Sequence, residues 1–332
     1  MSELIKIIML GGQGSGKTCY MLAMYAAMQM GKHGFTITTI NQDESVRLNE
    51  LWERLVRTQG RDRWPSGTNQ IHNYTFEFTE GLDSKIRFDW LDYRGDAMSE
   101  AATSDEITEL RNQILQSSGL FLCISGEYLR ETITDSNLAE VIVKTKARFM
   151  TDYMIRYGSN IRRQERQYFP IIITISKYDL CGHRPHLELI EDIKHIFSPL
   201  FTSESYWYLM VCPVTLGRDL ANNKDRGGIF PQNIHFPLIF ALYCKLGQMG
   251  KSERAILQEN EEILEDLLDR NSFMRWIQRN KITELQNEID RNKASLIKIN
   301  NLMRRIVKEL SDTNAKIYHS GLEVDFSIQN KS

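Results

Sequence analysis

The stretch "GGQGSGKT" (Gly11 to Thr18) fits the pattern G-x-x-x-x-G-K-[ST] at every fixed position. Residues of these types at this spacing can hold phosphate. Gly11, Gly12, Gly14 and Gly16 let backbone N–H groups turn inward without Cβ clashes, with Gln13 and Ser15 between them. Lys17 can reach β- and γ-phosphates, the Thr18 hydroxyl can ligate Mg²⁺, and Cys19 follows at the start of a helix. "FDWLDYRGD" adds Asp92, which at a strand end can hold Mg²⁺, often through water. Its Gly95 N–H can sense a γ-phosphate. "SKYD" adds Ser176, Lys177 and Asp179; a carboxylate there can accept from the N1–H and N2–H₂ of guanine. Adenine lacks both donors on that edge, so such a site disfavours ATP. Thr68 lies where a switch threonine would close over Mg²⁺ and γ-phosphate. Val214 and Thr215 of "CPVT" supply backbone N–H groups near a purine O6.

The flanking segments must position these residues. "LIKIIML" (Leu4 to Leu10) is an apolar run of the buried parallel kind, and "KTCYMLAMYAAMQM" has helical spacing. Together they give the strand–loop–helix order that a phosphate loop needs. "IHNYTFEF" and "KIRFDWLD" alternate as an antiparallel hairpin; "LFLCIS", "PIIITIS" and "WYLMVCPVT" read as further strands, and "HFPLIFALYCKLG" as a closing helix. A helical insert near 136–167 ends in the basic run "NIRRQERQ", read as an exposed helix face. Strands alternating with helices predict an α/β, three-layer domain over 1–250, its sheet mostly parallel with one antiparallel strand.

Beyond it, Lys251 to His319 contains neither Gly nor Pro. Ile282, Ile289, Leu296, Met303, Leu310 and Ile317 recur every seven residues, with Leu285, Ile299 and Ile306 at d positions and Asn292 as a polar intrusion. This predicts a coiled coil or helical hairpin over 251–319 and a tail at 320–332. Ser252 to Asp269 holds seven acids and one base, and Arg270 to Lys316 eleven bases and five acids. An acidic arm folding back on a basic one, with a turn near "RNSFMRW", and a straight helix pairing with another subunit both fit. Every anticipated nucleotide contact precedes Gly250, so the coil is expected to be separable.

The chain has 332 residues, with Lys+Arg 41 against Asp+Glu 43. No basic field favours nucleic acid or a membrane surface, and no membrane-spanning or signal segment is read. Five scattered cysteines suit a reducing, cytoplasmic setting, and "CGHRPH" reads as a polar loop rather than a metal site.

In order and spacing, GGQGSGKT, Thr68, DYRG, SKYD and CPVT resemble the Ras-like, translation-factor-related (TRAFAC class) P-loop GTPases over about Ile5 to Gln248. The WPSGT loop, FDWLDYRGD, PVTLG and PQNIHFPLIFAL resemble the bacterial double-GTPase group of conflict systems. The resemblance implies GTP/GDP and Mg²⁺ as cofactors, and a switch acting through its loops and the coil. It also implies a protein partner, whether a second GTPase, an effector or another copy, and a role in antiviral defence. Two positions depart from the pattern. Ser176 replaces the usual Asn or Thr, keeping a hydroxyl, and Asp96 stands where many members place a water-orienting Gln. Arg94 is a candidate for stabilising transition-state charge. Competing readings are a nucleotide-stabilised scaffold with little hydrolysis, and an ATP-using P-loop protein.

Overall fold

The computed structural model describes residues 5–31, 34–65, 72–80, 83–93, 104–158, 168–218, 220, 225–269 and 276–326. Nine strands form one sheet: β1 (Ile5–Leu10), β2 (Phe35–Thr39), β3 (His72–Glu80), β4 (Asp83–Asp92), β5 (Gly119–Ser125), β6 (Pro170–Ser176), β7 (Tyr208–Pro213), β8 (Lys316–His319) and β9 (Leu322–Glu323). Their spatial order is β2-β3-β4-β1-β5-β6-β7-β8-β9. The central run β4-β1-β5-β6-β7 is parallel throughout. Its strands are Ile- and Leu-rich because both faces are covered: β5 and β6 are buried along their whole length.

The helices are α1 (Lys17–Gln29), α2 (Gln42–Arg57), α3 (Ser104–Leu115), α4 (Leu138–Thr145), α5 (Ala147–Gly158), α6 (His186–Ile196), α7 (Phe236–Leu268) and α8 (Arg279–Ser311). One sheet face packs α1, the first third of α7 and the end of α8 around Ile7, Phe76, Phe88 and Trp90. The other packs α3, α4, α5 and α6 around Ile8, Leu122 and Ile173. The expected three layers are therefore present. The insert is two helices broken at Lys146, whose φ of 59° is left-handed; the run Asn160 to Gln167 lies outside the described residues.

The expected antiparallel strand is present in the domain over 1–250, and a strand from beyond those bounds joins the same sheet. β3 is antiparallel to β2 and β4, and β8 is a second such strand, antiparallel to β7 through Tyr208↔His319 and Val211↔Lys316. The coil bounds change with it. Ile317, which continues the heptad count, is a strand residue, and α8 ends at Ser311. A heptad count cannot see that Lys316–His319 has an open sheet edge within reach.

The expected boundary at Gly250 falls inside a helix. α7 begins at Phe236 and runs without a break through Gly250 to Leu268. α7 and α8 pack as an antiparallel hairpin: Lys293 Nζ lies 2.9 Å from Glu261, and Arg254 donates to Asn300 Oδ1 at 3.4 Å. The connection at 270–275 lies outside the described residues. On α8, Ile299, Leu302, Ile306 and Leu310 are buried in the same core as Ile7 and Met9 of β1. Leu285, Ile289 and Leu296 are buried outside that cluster, along the hairpin's own seam. The hairpin thus has a base inside the α/β domain and an arm beyond it.

Candidate functional site

The registers bring the motifs to one edge. Met9 pairs with Asp92, Ser125 with Ser176 and Ile175 with Pro213, so the phosphate loop, Asp92, SKYD and CPVT all leave the carboxyl ends of adjacent parallel strands. That edge is where an open α/β sheet forms its ligand crevice. A cleft of about 610 Å³ opens there. Gln13, Gly14, Gly16, Lys17, Thr18 and Cys19 line it together with Ser176, Lys177, Asp179, Val214 and Thr215.

The loop is shaped by its glycines at two kinds of position. Gly14 (φ 72°) and Gly16 (φ 92°) occupy left-handed backbone, Gly16 as the N-cap of α1. Gly11 instead passes so close to β5 that a Cβ would lie 2.5 Å from the Cys123 carbonyl oxygen. Gly12 and Ser15 complete the turn through a hydrogen bond from the Ser15 N–H to the Gly12 carbonyl at 3.2 Å. Lys17 is buried and donates to the Gly11 and Gly12 carbonyls at 2.7 and 3.2 Å, which folds its ammonium over the loop. Thr18 Oγ1 donates to Asp92 Oδ2 at 2.7 Å, joining α1 to the end of β4. A helix N-terminus, a cation over a glycine loop and a hydroxyl–carboxylate pair fit a magnesium-bound polyphosphate. Burial pushes the Cys19 thiol up to about 12, against the pull of Lys177, so it stays neutral beside the loop.

Ser176 Oγ lies within hydrogen-bonding distance of the Ser15 and Ile124 carbonyl oxygens, tying SKYD to the phosphate loop. Lys177 is left-handed (φ 48°) and exposed, and the turn Tyr178–Leu180 follows it. The Tyr178 N–H donates to the Val214 carbonyl at 3.2 Å, and Thr215 Oγ1 to Asp179 Oδ1 at 3.2 Å. A hydroxyl thus braces the carboxylate from the neighbouring strand's loop. Such an oriented acceptor suits paired N–H donors.

Thr68, Arg94, Gly95 and Asp96 lie outside the described residues. Sequence reasoning missed other parts of the wall. Arg61, Trp64 and Pro65 line the cleft from one loop, Glu127 and Arg130 from the turn after β5, and Leu216, Leu220 and Asp225 from the loop after β7. A Trp beside Pro in the polar stretch "RDRWPSGT" was the one visible signal. In "CGHRPH", Arg184 is buried and donates to Asp192 at 2.7 Å and to the Leu129 and Glu131 carbonyls at 2.9 Å. Among the described residues no cluster of His, Cys, Asp and Glu suited to a metal is found, and no helix is long and apolar enough to cross a membrane.

A glycine loop between a buried parallel strand and a helix, with the other motifs on the same sheet edge, defines a P-loop nucleotide-binding domain. Residues 8–150 match the family model Double-GTPase 1. The match includes Lys17 and Asp92 and ends before Ser176. Among solved structures, the chain is similar to the signal recognition particle receptor SRb-GTP/SRX complex from Chaetomium thermophilum. That likeness has 12% identity and a TM-score of 0.38, and covers 65% of this chain and 92% of that one. It is too distant to carry an argument. No curated protein matches.

Proposed function

We propose that the chain is a guanine-nucleotide switch that binds GTP with Mg²⁺ and hydrolyses it slowly. One observation carries the reading: a single cleft holds the Lys17 cradle at one place and the Thr215-braced Asp179 carboxylate at another. Lys17 and the loop N–H groups would neutralise phosphate charge, and Asp179 would accept from guanine. Thr18 and Asp92 would hold Mg²⁺, which supplies charge neutralisation across the β- and γ-phosphates when bound. Slow turnover would follow if Asp96, which by sequence replaces the water-orienting Gln of many related GTPases, repels the triphosphate more than it orients water. The signal would pass through the hairpin of α7 and α8 to an effector, a second GTPase or another copy. By its resemblance to conflict-system GTPases, the setting is bacterial antiviral defence in the cytoplasm.

Asp179→Asn tests the base assignment. An amide N–H₂ facing guanine's N–H₂ replaces one contact by repulsion, so GTP affinity should fall by on the order of 2–4 kcal/mol, tens- to several-hundred-fold. Xanthine carries a carbonyl there, so xanthosine triphosphate should gain affinity in the same calorimetric titration. A wild-type preference for ATP, or a variant still preferring GTP, would remove Asp179 as the base reader.

A second reading, a scaffold in which nucleotide only stabilises the fold, is favoured by the shared core of α1, α7 and α8. Single-turnover GTP hydrolysis separates the two: a measurable, Mg²⁺-dependent rate supports the switch.

A further inference from the structure

Arg63 is only 2% exposed, and backbone carbonyls hold its guanidinium. Nε donates to Leu55 in the last turn of α2 at 3.1 Å; NH1 donates to Asp225 at 3.0 Å and to Gly227 at 2.8 Å. The Gly60 N–H adds a bond to the Asp225 carbonyl at 3.0 Å. Burying a cation costs several kcal/mol of desolvation, on the order of a whole interaction network, unless charge-assisted bonds offset it. In this protein they do so by joining two segments 162 residues apart in sequence.

Both segments belong to the cleft. Trp64 and Pro65 follow Arg63 directly and line it, and the chain runs on to Thr68. Asp225 and Gly227 belong to the loop after β7, which is closed on itself by paired bonds between Thr215 and Gln232 and by Phe230 N–H to Leu216 at 2.6 Å. That loop carries Thr215, which holds Asp179. Gly217 packs so tightly against it that a Cβ would lie 2.3 Å from the Gly228 carbonyl oxygen. Hydrogen bonds and close backbone packing therefore connect Asp179, through Thr215 and its loop, to Arg63 and the Trp64 wall.

We propose that Arg63 is a positioning residue that couples guanine recognition to the segment entering the switch: ordering the Asp179–Thr215 loop on the base holds residues 58–65 in place. This rests on the guanine-nucleotide reading above. An arginine is required because one planar fork reaches three carbonyls in different directions, which an ammonium on a flexible stem does not reproduce.

Amide hydrogen exchange on the full chain tests it, with magnesium GDP and magnesium pyrophosphate as ligands. In the wild type, GDP should slow exchange at 11–19, 58–65 and 225–232, the latter two by about tenfold, an ordinary size for site-to-site coupling. Pyrophosphate, which fills the cradle without a base, should protect 11–19 alone. In Arg63→Gln and Arg63→Lys, GDP should still protect 11–19, while its protection of 58–65 should fall below about twofold. A merely structural arginine would instead lower stability but leave the GDP-induced difference at 58–65 intact, and that result overturns the proposal. So does pyrophosphate protecting 58–65 as well as GDP does, a comparison that needs no variant. Absence of protection at 11–19 by GDP in the wild type would overturn the nucleotide reading itself, and this coupling with it.

Discussion

Lys17 is held over the phosphate loop by two carbonyls of that loop, so the cradle keeps its cation in place by its own backbone. Lys17→Ala removes that charge from the cradle. Triphosphate binding by calorimetry should therefore vanish, while far-ultraviolet circular dichroism stays unchanged; unaltered affinity would dismiss the cradle. Thr18 makes a different prediction, because its hydroxyl meets Asp92 rather than the loop. Thr18→Ala should bind nucleotide with nearly the same affinity with and without EDTA, whereas the wild type should lose about tenfold or more on chelation. A variant that keeps the wild-type EDTA response would place the metal elsewhere. The placement of both residues at the phosphate loop was legible in the motif, since it depends only on residue type and spacing around a helix N-terminus. The Arg63 bonds were not legible: their acceptors are backbone carbonyls, which carry no side-chain signature, and those of Asp225 and Gly227 are distant in sequence.

At the scale of elements, the hairpin decides which deletions the protein tolerates. Removing everything after Gly250 takes away Ile299, Leu302, Ile306 and Leu310 from the core, and β8 from the edge of β7. At about 1.5–3 kcal/mol per buried aliphatic side chain, the loss is on the order of the whole stability of a domain. The truncated chain should be insoluble or unfolded by circular dichroism. Excising only the arm, residues 258–296, and closing the gap with a short flexible linker removes Leu285, Ile289 and Leu296, which lie outside the domain core. That variant should keep GTP binding, with a melting temperature within a few degrees of the wild type, about the shift that 1 kcal/mol produces in a chain of this size. A folded, nucleotide-binding truncation at Gly250 would show that the base of the hairpin is dispensable.

For the molecule as a whole, the arm is continuous with the nucleotide domain, because α7 crosses from one to the other as a single helix. Its far end exposes Leu268, Trp276 and Ile277 beside the acidic α7 and the basic α8. Exposed ion pairs such as Lys293–Glu261 contribute little, so the hairpin's register rests on its apolar seam. If the arm joins two copies, light scattering should give an assembly for the full chain and a monomer for the arm excision. A monomeric full chain with both GDP and GTP would direct the search to a different protein partner.

The sequence by itself determined the phosphate loop, the parallel strands around it, the β3–β4 hairpin and the heptad seam. Each of these is a local pattern: glycine spacing, apolar runs, alternation or a seven-residue period. It took the tertiary structure to bring Ser176, Asp179 and Thr215 into one cleft with Lys17 and to set Asp92 against Thr18, because strand order and register are set by packing across the sheet. It also shows the end of α8 buried in the same core as β1. The seven-residue period records that one face of α8 is apolar and must be buried. It is silent on what buries it, and the answer changes along the helix, from α7 in the arm to the sheet's own core at the base.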